Sequence, residues 1–158
     1  MNRICAFLLA VLCLTGCSAP NAAPEQEVLC FTYQNVKITP HAEAAPIISS
    51  LGEPKTYTEE ASCAFEGLDK TYYYGPFYLA TYPMEGKDYV YMLWFADDTV
   101  ATEEDIRIGS NQADVESVYG ADSFNGTNAY VLIKGNSKLM ILITEGEVSA
   151  IRYEGMIQ

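Results

Sequence analysis

Basic side chains are scarce in this chain: nine Lys and Arg stand against 21 Asp and Glu, for a formal net charge of −12. Neutralising phosphates takes a basic surface, and so few scattered cations cannot assemble one, which excludes a nucleic-acid partner. Histidine is almost missing. The one His41 follows Pro40 with no Cys or His cluster beside it, so a histidine-dependent triad and a His-based metal site both lack their parts. A place in a loop or at a helix entry is expected for it. The patterns G-x-S-x-G, S-x-x-K, H-E-x-x-H, G-x-G-x-x-G and G-x-x-x-x-G-K-[ST] are absent, which removes the usual support for hydrolase and nucleotide-binding readings. Acids occur side by side, as Glu59-Glu60, Asp97-Asp98 and Glu103-Glu104-Asp105, and not at the alternate positions that a calcium loop needs. They read as solvated loop acids. No metal and no cofactor is expected.

Long apolar runs are missing too. The longest, residues 4–14, has eleven residues and is too short to span a bilayer. Preceded by Arg3, it is the h-region of a secretory signal, and the sequence Leu14-Thr15-Gly16-Cys17 that closes it resembles the lipobox of bacterial lipoproteins. That resemblance implies removal of residues 1–16 and a diacylglycerol, with its palmitate-type chains, on the Cys17 thiol. Two acyl chains at ~0.8 kcal/mol per buried methylene anchor a protein stably. The net negative charge argues against electrostatic adhesion to anionic lipid, so the lipid alone would hold the chain to the extracytoplasmic face of the cell membrane. Residues 17–27 (CSAPNAAPEQE) are small, polar and proline-containing, as suits a flexible tether behind the lipidated Cys.

Once the signal and Cys17 are set aside, two cysteines are left, Cys30 and Cys63. In an oxidising compartment they form a candidate disulfide, whereas as small apolar residues they would stay free; both readings stand at this point.

The remainder, 28–158, reads as one globular domain. Residues 28–38 are β-branched and aromatic and predict an opening strand. A helix from about Ala45, with Pro46 in its first turn, runs through Ile47 and Leu51 to a stop at Gly52-Glu53-Pro54. A second helix over 112–119, with Ser110 or Asn111 as N-cap, carries Val115 and Tyr119 and stops at Gly120. Each helix is followed by a hairpin: 77–82 with 89–95 around Met84-Glu85-Gly86-Lys87, and 139–144 with 148–153 around Glu145-Gly146-Glu147. Asn125-Gly126-Thr127 reads as a turn. With residues 61–74 taken as an insertion, the expectation is an α+β fold. Two tandem helix-plus-hairpin repeats, about 28–100 and 101–158, would share an antiparallel sheet with the helices packed on one side.

Ile106-Arg107-Ile108-Gly109-Ser110, then Val115, Val118 and Tyr119-Gly120 before a hairpin, resembles the tandem repeat of the β-lactamase-inhibitory-protein-like group, which includes small outer-membrane-assembly lipoproteins. Residues 62–70 (SCAFEGLDK) with Thr81-Tyr82-Pro83 are similar to lipoproteins of Gram-positive anaerobes. The resemblance implies a curved sheet, helices on one side and no catalysis. The loops by which the inhibitor grips its target have no matching motif here, so β-lactamase binding is not implied.

Aromatic side chains are the feature in excess. Tyr72 to Tyr74, Phe77, Tyr78, Tyr82, Tyr89, Tyr91, Trp94 and Phe95 crowd one stretch, and period-two alternation cannot bury them all. Strict alternation puts Val90, Met92 and Trp94 on the core face and turns Tyr89 and Tyr91 outward with Leu93 and Phe95. Tyr73, Tyr89 and Tyr91 are thus the candidate binding surface for a protein, peptide or glycan partner in the envelope. The function expected is a non-enzymatic, lipid-anchored binding module; a carboxylate-dependent envelope hydrolase and a structural envelope-assembly factor are the alternatives. Anchoring gives the first test. The native chain should partition into detergent with membranes, and Cys17→Ser should remain soluble or unprocessed; identical soluble fractionation of both would refute the lipobox reading.

Overall fold

Turn chemistry lays out the strands. In the computed structural model, which describes residues 28–124 and 128–157, the strands in chain order are β1 (Phe31–Tyr33), β2 (Val36–Ile38), β3 (Thr56–Ala61), β4 (Leu68–Tyr73), β5 (Phe77–Met84), β6 (Lys87–Phe95), β7 (Ala129–Lys134), β8 (Ser137–Thr144) and β9 (Glu147–Gly155). The helices are α1 (Ala44–Leu51) and α2 (Gln112–Tyr119). The signal, Cys17, the tether and the Asn125-Gly126-Thr127 turn lie outside the described residues. Glu85-Gly86 joins β5 to β6 with φ of 53° and 76°, and Glu145-Gly146 joins β8 to β9 with 54° and 84°. Two successive left-handed residues give the hairpin turn whose twist matches that of the flanking strands.

Seven strands form one antiparallel sheet in the order β3-β4-β5-β6-β9-β8-β7. The opening segment is not a single strand. It reverses at Gln34-Asn35, again with positive φ at both positions (48° and 66°), and β1 and β2 make a separate two-stranded sheet.

The α+β expectation of two helix-plus-hairpin repeats is therefore wrong: strand takes 48% of the described residues and helix 15%. The physical reason lies in residues 56–73. Taken in large part for an insertion, they form β3 and β4, a ladder of six residue pairs that extends the sheet beyond β5. The first half of the chain thus gives the large sheet four strands and the second half three. Each helix has only eight residues and covers part of one face.

That covered face is the core. Ala44 and Ile47 of α1, Val115 of α2, and Phe31 and Ile38 of the small hairpin are buried, as are the inward-facing Phe77, Leu79, Leu93, Ile141 and Ile151 of the sheet. Each large side chain so buried contributes roughly 1.5–3 kcal/mol. The helix ends follow local chemistry. Gly52 and Gly120, both at φ 79°, donate their N–H groups to the Ile48 and Glu116 carbonyls. Pro46 falls in the first turn of α1, where its missing N–H costs nothing.

His41 acts as a staple. Its backbone N–H reaches the Val90 carbonyl at 2.7 Å, and the Val90 N–H returns to the Ala42 carbonyl at 2.9 Å. Ring Nε2 lies 3.1 Å from the Asn136 carbonyl, which can only accept, so Nε2 donates there, and Nδ1 is 3.1 Å from the Tyr82 hydroxyl. The ring sits against Gly155, where a Cβ would stand 2.6 Å from Nε2. Glycine is required there by contact.

The two sheet edges differ. Every residue of β3 is exposed and Glu59 and Glu60 charge it, as suits an edge that must not pair. On β7, Ile133 is 60% exposed.

Glutamate is a poor occupant of a left-handed turn position, whereas Asn tolerates it. Glu85→Asn and Glu145→Asn, at opposite ends of the sheet, should each stabilise by about 0.5 kcal/mol and add in the double variant, as read by urea midpoints.

Candidate binding surface

The outer face of the sheet is set by a bulge. Ala80 pairs with Met92 and Thr81 with Val90, so Tyr91 is left over on β6. An extra residue inverts the alternation of everything beyond it. Val90 (1% exposed), Leu93 (1%) and Phe95 (5%) therefore all point into the core. Met92 and Trp94 turn outward, which corrects the expectation that Trp94 is buried with Val90.

Register then aligns a row across all seven strands: Thr56, Tyr73, Tyr78, Trp94, Arg152, Met140 and Val131. Within it the Tyr73 and Tyr78 rings stack at 4.5 Å and 26°, and Tyr78 and Trp94 at 4.9 Å and 6°. The Lys55 ammonium lies 5.9 Å from the Tyr73 centroid. Such cross-strand pairs add about 0.5–1.5 kcal/mol each beyond burial. Stacking between neighbouring strands stands the rings up from the sheet, so they present edges to a partner. The three rings are half-buried.

All three residues of the candidate surface are on this face, but they do not form one cluster. Tyr73 begins the ladder. Tyr89 lies at the other end of β6, its ring 5.8 Å from that of Tyr82. Phe65, from the loop between β3 and β4, stacks on Tyr82 at 5.0 Å, and with His41, Met84, Asn136, Met156 and Ile157 these rings line a hollow of about 360 Å³. Tyr91 lies between the two groups; burial first, and the Glu154 charge second, push its hydroxyl above the usual phenol range.

A second hollow opens where β6 and β9 part. The two strands pair only at 92–94 with 152–154, whereas β9 continues back to Glu147 beside β8. The resulting cleft, about 280 Å³, is lined by Met92, Trp94, Phe95, Met140, Leu142, Ala150, Ile151 and Arg152. Arg152 Nη2 lies 3.2 Å from Glu154 Oε2 and 3.6 Å from Met140 Sδ, and Lys138 Nζ reaches the same carboxylate oxygen at 3.4 Å.

Among the described residues no three His, Cys, Asp or Glu side chains are grouped to hold a metal ion. Glu59, Glu60 and Asp69 line a small polar hollow of about 120 Å³ at the β3 edge. Among the described residues two carboxyls are held below the usual range: Glu116 by hydrogen bonds from Tyr130 (2.7 Å) and Gln112 (2.9 Å), and Asp97 by those from Thr99. Cys30, half-buried, and Cys63, exposed, are free thiols, so the candidate disulfide is not formed; burial pushes the Cys30 thiol up.

Sequence reasoning missed Tyr78, Trp94, Met140 and Arg152 as members of one surface. The available signal was Leu93 and Phe95, which conflict with strict alternation along β6.

No protein-family model matches the chain, and no curated protein does. It is similar in structure to an extracellular protein containing a SCP domain from Bacillus anthracis str. Ames, solved at 1.5 Å, with 12% sequence identity and a TM-score of 0.45. The match covers 85% of this chain and 50% of that one, so the chain spans half that protein's length. No helix among the described residues is long and apolar enough to cross a membrane.

The inverted parity is testable by thermal melts. Leu93→Ala should cost about 2–5 kcal/mol as a core truncation. Trp94→Ala should cost about 1–2 kcal/mol, since it removes a half-exposed ring and one stacking contact. Equal large losses would mean that both faces of the sheet are covered.

Proposed function

We propose that this protein is a lipid-anchored, extracytoplasmic binding module without catalytic activity, whose outer sheet face takes a protein or peptide partner. The observation that carries this reading is the half-open row Tyr73, Tyr78, Trp94 and Met140, placed by register on one face. Surfaces of this kind, aromatic with apolar neighbours and one Arg, are where binding energy concentrates. Rings that stand on edge suit side-chain insertion between them better than the flat stacking that a sugar ring needs. The signal-like residues 1–16 and Cys17 support the location and the anchor. Glu116 and Asp97, whose carboxyls are held low, do not fit the proton donor that a hydrolase built on carboxylates needs.

A photo-crosslinking amino acid at position 78 of the cell-borne protein should capture a discrete partner. The same group at position 118, on the exposed Val118 of α2, should not. Trp94→Ala, which is expected to keep the fold, should reduce the adduct at least tenfold. Equal capture from positions 78 and 118 would overturn the assignment of this face.

A further inference from the structure

We propose that the cleft beside Trp94 binds a small apolar carboxylate, an aromatic or aliphatic acid of about ten to fourteen non-hydrogen atoms, with its hydrocarbon against the indole and its carboxylate on the Arg152 guanidinium. The assignment rests on reading the outer face as a binding surface, and it adds a ligand class to that reading.

Size comes first. At about 280 Å³ the cleft has roughly twice the ~150 Å³ of an apolar cavity that accommodates benzene. Its walls are hydrocarbon and thioether: Met92, Met140, Leu142 and Ala150, with the two methionines able to adjust to the shape of an occupant. Trp94 has Tyr78 stacked on one side, and it borders the cleft toward β9, where Arg152 is its register partner.

Charge then selects the head group. Arg152 is the one charged side chain among the lining residues. Only its Nη2 is engaged, by Glu154 and the Met140 sulfur, and its Nε has no hydrogen-bond partner, so the five-donor fork is far from saturated. Glu154 is shared between Arg152 and Lys138, which leaves the triad at net +1 in a chain of net −12. One excess positive charge matches a monoanion. A dianion such as a phosphate monoester would bring uncompensated charge into an apolar cleft. A planar carboxylate also fits the guanidinium fork.

The test uses the chain carrying Cys17→Ser, which needs no detergent to compete for the cleft and keeps every described residue. Because the chain has one Trp, its indole N–H gives a single NMR resonance. Titration with 2-naphthoate should shift that resonance saturably, with a Kd on the order of 0.1 mM. The uncharged 2-naphthamide should bind about tenfold more weakly. Arg152→Gln should erase that difference by weakening naphthoate alone, and Ala150→Leu, which fills the cleft, should weaken both. Equal affinity for acid and amide, or an indole resonance that stays still in millimolar naphthoate, overturns the proposal, and neither outcome depends on a variant that folds. If the resonance stays still while position 78 still captures its partner, the cleft assignment fails alone. Loss of both signals removes the binding face itself.

Discussion

The sheet is one piece because three residue pairs hold β6 to β9: Met92 with Glu154, Leu93 with Tyr153, and Trp94 with Arg152. Every other pairing in the large sheet joins strands that follow one another in sequence. Beneath the seam lies a cluster of rings from four different strands. Phe31 is 5.3 Å from Phe77, 5.0 Å from Phe95 and 6.4 Å from Tyr153. The small β1–β2 hairpin thus fastens the join from the core side, while His41 fastens it farther along β6. The outer row continues past Trp94 to Arg152 and Met140 only because this seam is in register.

What could be read from the sequence is what local chemistry determines. Gly52 and Gly120 mark the helix ends because a left-handed residue is needed there, and glycine takes that conformation without cost. Glu85-Gly86 and Glu145-Gly146 mark hairpins for a related reason. Gln34-Asn35 makes the same kind of turn without a glycine, so the hairpin there looked like one strand. The order of strands was not legible, since the pairing of β6 with β9 depends on residues far apart in the chain. Nor was the bulge at Tyr91, which neither Gly nor Pro announces. One extra residue moved Trp94 from the expected core to the surface and brought Leu93 and Phe95 inside. The register puts Tyr73, Tyr89 and Tyr91, the residues singled out from the aromatic excess, on the outer face. The cleft needed Met140 and Arg152, from strands that no local pattern places next to Trp94.

An open apolar face is a liability for a soluble domain, and charge placement answers part of it. The many acids leave the molecule strongly anionic, which opposes self-association. At the β3 edge Glu59 and Glu60 discourage strand addition. On the outer face the Arg152–Glu154–Lys138 group departs from that negative background. The face thus carries two cations at its β9–β8 side and the acid pair Glu60 and Asp69 at its β3 end.

The seam is also where the cost of closing the chain is concentrated. Hairpin turns close loops of a few residues, whereas joining β6 to β9 brings together positions about sixty residues apart, an added closure cost of about 2 kcal/mol. The four-strand and three-strand groups are built from pairings between consecutive strands, whereas the join between them is the non-local one. The cleft beside Trp94 lies in that join, so its walls come from both groups of strands. An occupant there engages only the finished fold, and its binding free energy is added to the weakest-connected line of the sheet.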